Sequence, residues 1–464
     1  MKHARILPSG CRRGSTLVLS LFFIAIFSAL AVGMAVFSGA NAQIANNLRK
    51  LNHTRACAES GLEVMRYWLG QVAFSGTTPP SQRFATLAAS LQNALNTAGV
   101  TNVVPVCTSS TITLSNVPLD SARHESFSAL LTKIDDDNIQ MDVTGRNGNL
   151  HRSIRSNLVF DHRANNVFDY GVATKGPLQL SGNIDLTGAN IDVESNAYIE
   201  TDELLALEII GNSHIAGTVK LTNSLANVNL QGGQAGIGGV TGPEATQPPH
   251  TLYGCPTTEF PEMVPSRLEK YVTHTLDPAT NTSSSLVLDN VRIPAGMNPK
   301  FTGGVTIRGV IYIEAPNVVM FGGSTAVTGV IVGNGSPTDY SGTNQITFTG
   351  NLTSLPVSTL PQEPQFEGIR NEVGTFLMAP GFAADFEGPF TTVSGAIAAN
   401  GITFGGSAGG TIYGSLINYS PNVMDCGGRN DLYFNRSGLS EVPAGFVPET
   451  VLYYDPASYK EVLL

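Results

Sequence analysis

The stretch RRGSTLVLSLFFIAIFSALAVGMAVFSGANAQ, Arg12 to Gln43, decides what kind of chain this is. Lys2, Arg5, Arg12 and Arg13 precede or open it without an acid among them, and no charged side chain follows until Arg49. From Leu17 to Phe37 the residues are apolar except for two serines and one glycine. At about 1.5 Å per residue this run spans roughly 30 Å, the thickness of a bilayer core. The upstream positive charges hold residues 1–14 on the cytoplasmic side. Ala40-Asn41-Ala42 before Gln43 also fits a signal peptidase site. The segment is therefore a signal that is removed, an anchor that stays, or one segment doing both jobs.

The residues beyond it favour retention. Ile44, Leu48, Leu51, Ala58, Leu62, Met65 and Leu69 recur at alternating spacings of four and three, and Arg55 fills the one missing slot. That is one continuous seam of an amphipathic helix. No proline interrupts residues 15–69. The pattern predicts a single rod of about 80 Å. A removed signal has no reason to be in phase with the helix after it. An ordinary anchor with a juxtamembrane coiled coil is the plainer alternative.

A basic leader ending in Gly14, followed by Ser15-Thr16-Leu17-Val18-Leu19 and a long apolar helix, resembles the class III prepilin signal. The stretch ACAESGLEVMRYWL (56–69) is similar to the A-E-x-G-L-E-x-A pattern of PilX-type minor pilins. The resemblance implies cleavage by a prepilin peptidase between Gly14 and Ser15 and N-methylation of Ser15. It implies an apolar helix that anchors in the inner membrane and later packs against other pilin or pseudopilin subunits. Two positions depart from major pilins. Leu19 stands where they carry Glu, and Ser15 stands where they carry Phe. A carboxylate in lipid is expensive, so its loss is easily tolerated where no preceding subunit needs it. Both departures point to a minor or priming subunit.

Residues 70–165 read as a small α+β head. SQRFATLAASLQNALNT (81–97) places Phe84, Leu87, Leu91 and Leu95 on one helix face. STITLSNV (110–117), SFSALLTKI (126–134), NIQMDVTGR (138–146) and HRSIRSNLVF (151–160) alternate like strands. Asn147-Gly148-Asn149 is a hairpin turn signal. A long helix on a small antiparallel sheet is the pilin architecture that the resemblance implies. Asp135-Asp136-Asp137 fits a solvated turn, with calcium as the alternative reading of three hard oxygen ligands.

From residue 166 to 464 the texture is short runs of Val, Ile and Leu broken by Gly and Asn, as in PLQLSGNIDLTGANIDVESNAYIE (177–200). VTIRGVIYIEAPNVVMFGGSTAVTGVIVGNGSP (305–337) repeats as TTVSGAIAANGITFGGSAGGTIYGSLINYSP (391–421), with shared Phe-Gly-Gly-Ser tetrads at 321–324 and 404–407. Gly309 and Gly329, and Gly395 and Gly414, recur at about one coil of a parallel β-solenoid. Inward Val, Ile and Leu would stack from coil to coil, with Gly or Asn at the corners. A β-sandwich is the alternative. Residues 241–282 are Pro-rich and polar and read as an excursion, with a short helix in SRLEKYVTHTL. VLYYDPASYKEVLL (451–464) reads as a terminal strand capping the open coil.

Charge and cysteine content narrow the chemistry. Glycine is abundant at 49 of 464 and charged residues make up only 13%, which suits a turn-rich β structure. Residues 166–464 hold 11 basic against 27 acidic side chains, which argues against nucleic acid as partner. Cys11 lies in the leader, leaving Cys57, Cys107, Cys255 and Cys426, with no CxxC spacing for zinc. Pairs Cys57–Cys107 and Cys255–Cys426 would each stay within one domain and suit an oxidising compartment. Gly405-Gly406-Ser407-Ala408-Gly409 matches the hydrolase G-x-S-x-G, yet a strand pattern follows where a helix is needed. No catalytic residue, metal or cofactor is expected. Asp185 and Asp192 are the acids that a carbohydrate-active β-helix would draw on.

The sequence thus predicts a minor type IV pilin-like or pseudopilin-like subunit, single-pass in the inner membrane and then at the pilus, cell surface or periplasm. It would display a β-solenoid passenger for adhesion to an unspecified ligand. The alternative is a secreted or membrane-anchored carbohydrate-active or adhesive β-helix.

Overall fold

The computed structural model describes residues 15–429, 431–437 and 442–462. The chain forms two compact units. One holds the chain up to Phe74, Thr78–Asp161 and the chain from Val451; the other holds Ser75–Thr77 and His162–Thr450.

The first unit is built on helix α1 (Ser15–Gly70), which runs unbroken as the spacing predicts. Its sheet contains β1 (Ala73–Ser75), β2 (Val106–Cys107), β3 (Thr111–Asp120), β4 (Glu125–Lys133), β5 (Asn138–Asn147) and β6 (Leu150–Arg163). Strands β2 to β6 pair antiparallel in sequence order. The β5–β6 hairpin closes with Asn147 facing Leu150 across the turn read from the sequence. Helix α2 (Pro80–Thr97) buries the four expected residues, Phe84, Leu87, Leu91 and Leu95.

The last strand corrects the sequence reading. Glu449–Val462 does not cap the solenoid. It inserts between β1 and β6, and with them completes a seven-stranded sheet. Leu452 and Tyr454 pack against the first core, and Ser458 Oγ accepts a hydrogen bond from Asn157 N–H at 2.7 Å. The edge of β6 would otherwise expose unpaired backbone groups, and the β-branched and aromatic run VLYY suits that slot. The β-rich segment is therefore an insertion between β6 and the last strand, not a C-terminal appendage beginning at 166.

The second unit is a parallel β-solenoid with three sheets of 12, 9 and 7 strands. Its first coil is β7 (Val172–Thr174), β8 (Leu178–Gly182) and β9 (Asp185–Gly188). Coils pair in register, as in Val305–Glu314 against Thr325–Asn334, where Gly309 faces Gly329. Gly309 has φ +81°, and a β-carbon on Gly329 would come within 1.9 Å of the Gly309 carbonyl oxygen. This exposes why the glycine spacing marks one coil.

The coil order in space departs from the order in sequence. From β7 the sheet grows one way through Ala197–Ile199, Val219–Leu221 and Thr251–Leu252. The chain then crosses to the opposite end and restarts at His274–Thr275. From there it builds back until Leu416–Asn418 docks on β7 from the other side. The first coil thus sits between the second coil and the last. Residues 241–252 still belong to a coil through Thr251–Leu252, so the excursion proper is 253–273. It carries the short helix α3 (Ser266–Glu269).

Two apolar layers hold this unit. Inside the coils, Phe301, Phe321, Phe348, Phe386 and Phe404 stack at 5.0–5.3 Å between centroids, including the phenylalanines of both repeated tetrads. Asparagines turn one corner: Asn317 Oδ1 accepts from Asn298 N–H at 2.7 Å, and Asn344 Oδ1 accepts from Asn317 N–H at 3.1 Å. Outside the 12-stranded sheet, Phe260 and Leu268 of the crossing segment, Phe366 and Phe446 cover Val310, Tyr312, Val332 and Met378. That sheet is buried on both faces. The signal lay in unbroken apolar runs such as VIYI (310–313) and TFLMA (375–379), which do not alternate.

Candidate assembly helix

The two halves of α1 have different surroundings. From Thr54 onward its seam is core. Ala58, Leu62, Met65 and Leu69 are buried across β4 and β5, and Trp68 lies against Phe127 with ring centroids 6.3 Å apart. Gly145 on β5 permits this approach, since a β-carbon there would lie 2.2 Å from Ala58 N and 2.5 Å from the Thr54 carbonyl oxygen. Thr54 Oγ1 donates back to the Lys50 carbonyl at 2.7 Å, so its hydroxyl is satisfied where it is buried. Arg55, the interruption in the seam, faces outward and pairs with Glu59 at 2.9 Å and Glu461 of the last strand at 3.0 Å.

The N-terminal half is bare. Every large apolar side chain from Leu17 to Phe37 is more than half exposed, and Ile44 and Leu48 continue the exposed face. This is the one described helix long and apolar enough to cross a membrane. Covering a Leu, Ile or Phe contributes about 1.5–3 kcal/mol, so the segment as a whole represents on the order of 20 kcal/mol of unmet burial. An apolar environment of that length, such as a bilayer core, would supply it. Ser15 begins α1. Gly14 and the leader, with Cys11, lie outside the described residues.

The remaining candidates fall apart from one another. All four described cysteines are free, so neither expected pair forms. Cys57 is buried in α1, while Cys107 is exposed on β2 at the sheet edge. Cys426 points into the solenoid core at the end of the phenylalanine stack, opposite Phe404 and Leu180. Burial pushes its thiol well above the usual range, with Asp425 adding to the effect. Cys255 follows Thr251–Leu252 at the start of the crossing segment, and its N–H donates to the Leu221 carbonyl at 2.9 Å.

The three aspartates of 135–137 each have work in their turn. Asp135 accepts from the N–H groups of Asp137 and Asn138, and those bonds hold its carboxyl below the ordinary range. Asp136 pairs with Lys133 at 2.6 Å, and Asp137 pairs with Arg83. Ser407 sits in a corner between strands Ile402–Phe404 and Gly410–Tyr413, where its N–H donates to the Glu387 carbonyl at 3.1 Å. No helix follows it, so the nucleophile-elbow context is absent.

Asp185 and Asp192 lie on successive elements, strand β9 and the turn that follows it. Asp185 is 2.8 Å from Nδ1 of His214 on the neighbouring coil, and Asp192 opens a single 3-10 turn (Asp192–Ser195). The structure aligns a different row. Asp385, Thr403, Asp425, Gln179 and Glu208 follow one another across five adjacent strands on the outer face of the nine-stranded sheet. Burial raises the carboxyls of Asp385 and Asp425, with Glu387 adding to the first. Asp425 Oδ1 is buried without a hydrogen-bond partner among the described residues. No spacing in the sequence points to this row, because only the solenoid register places residue 425 beside residue 179.

No family model and no curated protein matches the chain. Among solved structures, the competence-associated pilin ComZ from Thermus thermophilus aligns over 89% of this chain and 97% of its own, at 10% identity and a TM-score of 0.27. So loose a superposition carries neither fold nor function. The helix-on-sheet unit and the solenoid stand on their own strand pairings.

Proposed function

We propose that this chain is a minor type IV pilin-like or pseudopilin-like subunit of the PilX type, which displays a β-solenoid. The observation that carries this reading is α1. One unbroken helix presents a bare apolar half of membrane length, and its other half is the core of a small head. Such a helix anchors the subunit in the inner membrane by a single span. It then exchanges lipid for the helices of other subunits, since both environments cover the same apolar face. A prepilin peptidase cleaves between Gly14 and Ser15, and Ser15 is then methylated. The insertion of 162–450 is bulky, and repeated at every position of a fibre it would crowd its neighbours, so the subunit holds a tip or low-copy position. The insertion is displayed at the pilus, cell surface or periplasm and serves adhesion. The chain performs no catalysis of its own.

Mass spectrometry of the mature N-terminus tests this, on protein from membranes and from sheared filaments. A chain beginning at N-methylated Ser15 in both fractions is the expected result. A chain beginning at Gln43 would remove the anchor and the assembly role with it.

A further inference from the structure

A cleft of about 450 Å³ opens on the solenoid where segment 354–357 and strand Thr392–Ser394 flank Gly374. Its volume is within the size range of small-ligand sites. Its chemistry is specific. No charged side chain lines it, although it belongs to a strongly acidic part of the chain. An ionic ligand would find no counter-charge there.

Tyr413 is 44% exposed and Leu355 51% exposed, so an aromatic ring and an aliphatic side chain form open walls, with Val357 and Val373 beside them. Hydroxyls provide the directional contacts. Ser354, itself buried, braces the wall by accepting at Oγ from the N–H of Ser394 at 3.2 Å. Thr392 Oγ1 donates to the Ser354 carbonyl at 3.1 Å, which leaves its lone pairs free to accept. The face also continues beyond the cleft. Thr411 lies beside Tyr433 on the next coil, which places Tyr433 diagonal to Tyr413, about 8 Å away along the same face. Tyr433 is 40% exposed, and its hydroxyl is held by Asp431 at 3.3 Å.

An uncharged ligand with apolar C–H faces and a rim of hydroxyls matches this set, and one longer than a single ring reaches both tyrosines. We propose that the cleft binds a neutral oligosaccharide, with one hexopyranose stacked on Tyr413 and the chain continuing toward Tyr433. An apolar peptide could meet the polar groups only through its backbone, whereas a pyranose brings a flat C–H face and hydroxyls on one ring. The proposal deepens the display reading by naming the ligand class, and its test does not depend on filament assembly.

The experiment uses the full chain in phospholipid nanodiscs, free of sugar detergents. Cellohexaose, maltohexaose and mannohexaose are titrated by calorimetry, with pentagalacturonate as the anionic comparison. At least one neutral chain is expected to bind with Kd below about 1 mM. Tyr413→Ala should weaken it by about tenfold or more, and Tyr413→Phe, which keeps the ring, should retain it. Leu355→Ala, at an exposed position, gives a second variant that folds independently of the first. No binding of any neutral chain at about 5 mM would overturn the proposal. So would tighter binding of pentagalacturonate, or unchanged affinity in both Tyr413→Ala and Leu355→Ala. None of these results touches the mature N-terminus, so the display reading stands or falls separately.

Discussion

Phe386 stacks on Phe404 with ring centroids 5.0 Å apart and planes 10° from parallel, at the end of a row of five rings. Both side chains are fully buried. Phe386→Ala removes a ring with neighbours on both sides, Phe348 and Phe404. A loss of about 3–5 kcal/mol is expected in the stability of the solenoid. Thermal unfolding followed by limited proteolysis would locate the loss to residues 162–450, and a change confined to the first unit would contradict it.

Gly145 is the close-contact point of the first unit. Gly145→Ala drives a methyl into the backbone of α1 at Thr54 and Ala58. A backbone obstacle cannot rotate away, so the helix must shift, and about 1–3 kcal/mol of stability should be lost. Faster cleavage within 54–70 under limited proteolysis is the check.

The ends of the insertion meet. Arg163 Nε lies 3.1 Å from Glu449, and Asn165 donates to the same carboxylate at 2.8 Å. Replacing 164–448 by a short Gly-Ser linker should therefore leave the first unit folded, with the last strand still beside β6. Far-UV circular dichroism and retained protease resistance of the shortened chain would confirm it. Aggregation with loss of the β signal would show that the last strand needs the solenoid.

Asp425 gives a pH dependence whose sign follows from burial. Its folded-state pKa is raised. The folded chain therefore binds the proton more tightly than the unfolded chain. The contribution of this group to stability is greatest at acid pH and is lost as pH rises through the raised value. Asp425→Asn removes the charge and should stabilise the protein at neutral pH, by less than a fully buried charge would imply because solvent reaches the site. The gain should disappear below the ordinary carboxylate range. A gain that is constant with pH would mean that ionisation is not the cause.

Thiol reactivity separates the exposed from the buried among the four described cysteines. Cys107 should react with maleimide in the native protein. Cys57 and Cys426 should react only after unfolding, because both are buried. Native and denatured labelling with mass mapping reads this directly, and a Cys57–Cys107 or Cys255–Cys426 crosslink would refute it.

Much of the first unit was legible because its signals are local. A seam at spacings of four and three and the Asn-Gly turn each act within a few residues, so the helix and the β5–β6 hairpin follow from the sequence alone. The repeated Phe-Gly-Gly-Ser tetrads and the coil-length glycine spacing likewise declare a solenoid, since each coil meets the same steric demand as the one before it. Register, closure and depth were decided only by the tertiary structure. Nothing local tells Leu416–Asn418 to dock on Val172–Thr174, because that pairing joins segments far apart in sequence. Nothing local assigns Glu449–Val462 to the first sheet, because the pattern of an edge strand is the same wherever the edge lies. The row from Asp385 to Glu208 and the cleft at Tyr413 come from that same long-range register. The sequence by itself determined which elements form and which faces are apolar, and the tertiary structure decided which distant edges and faces meet.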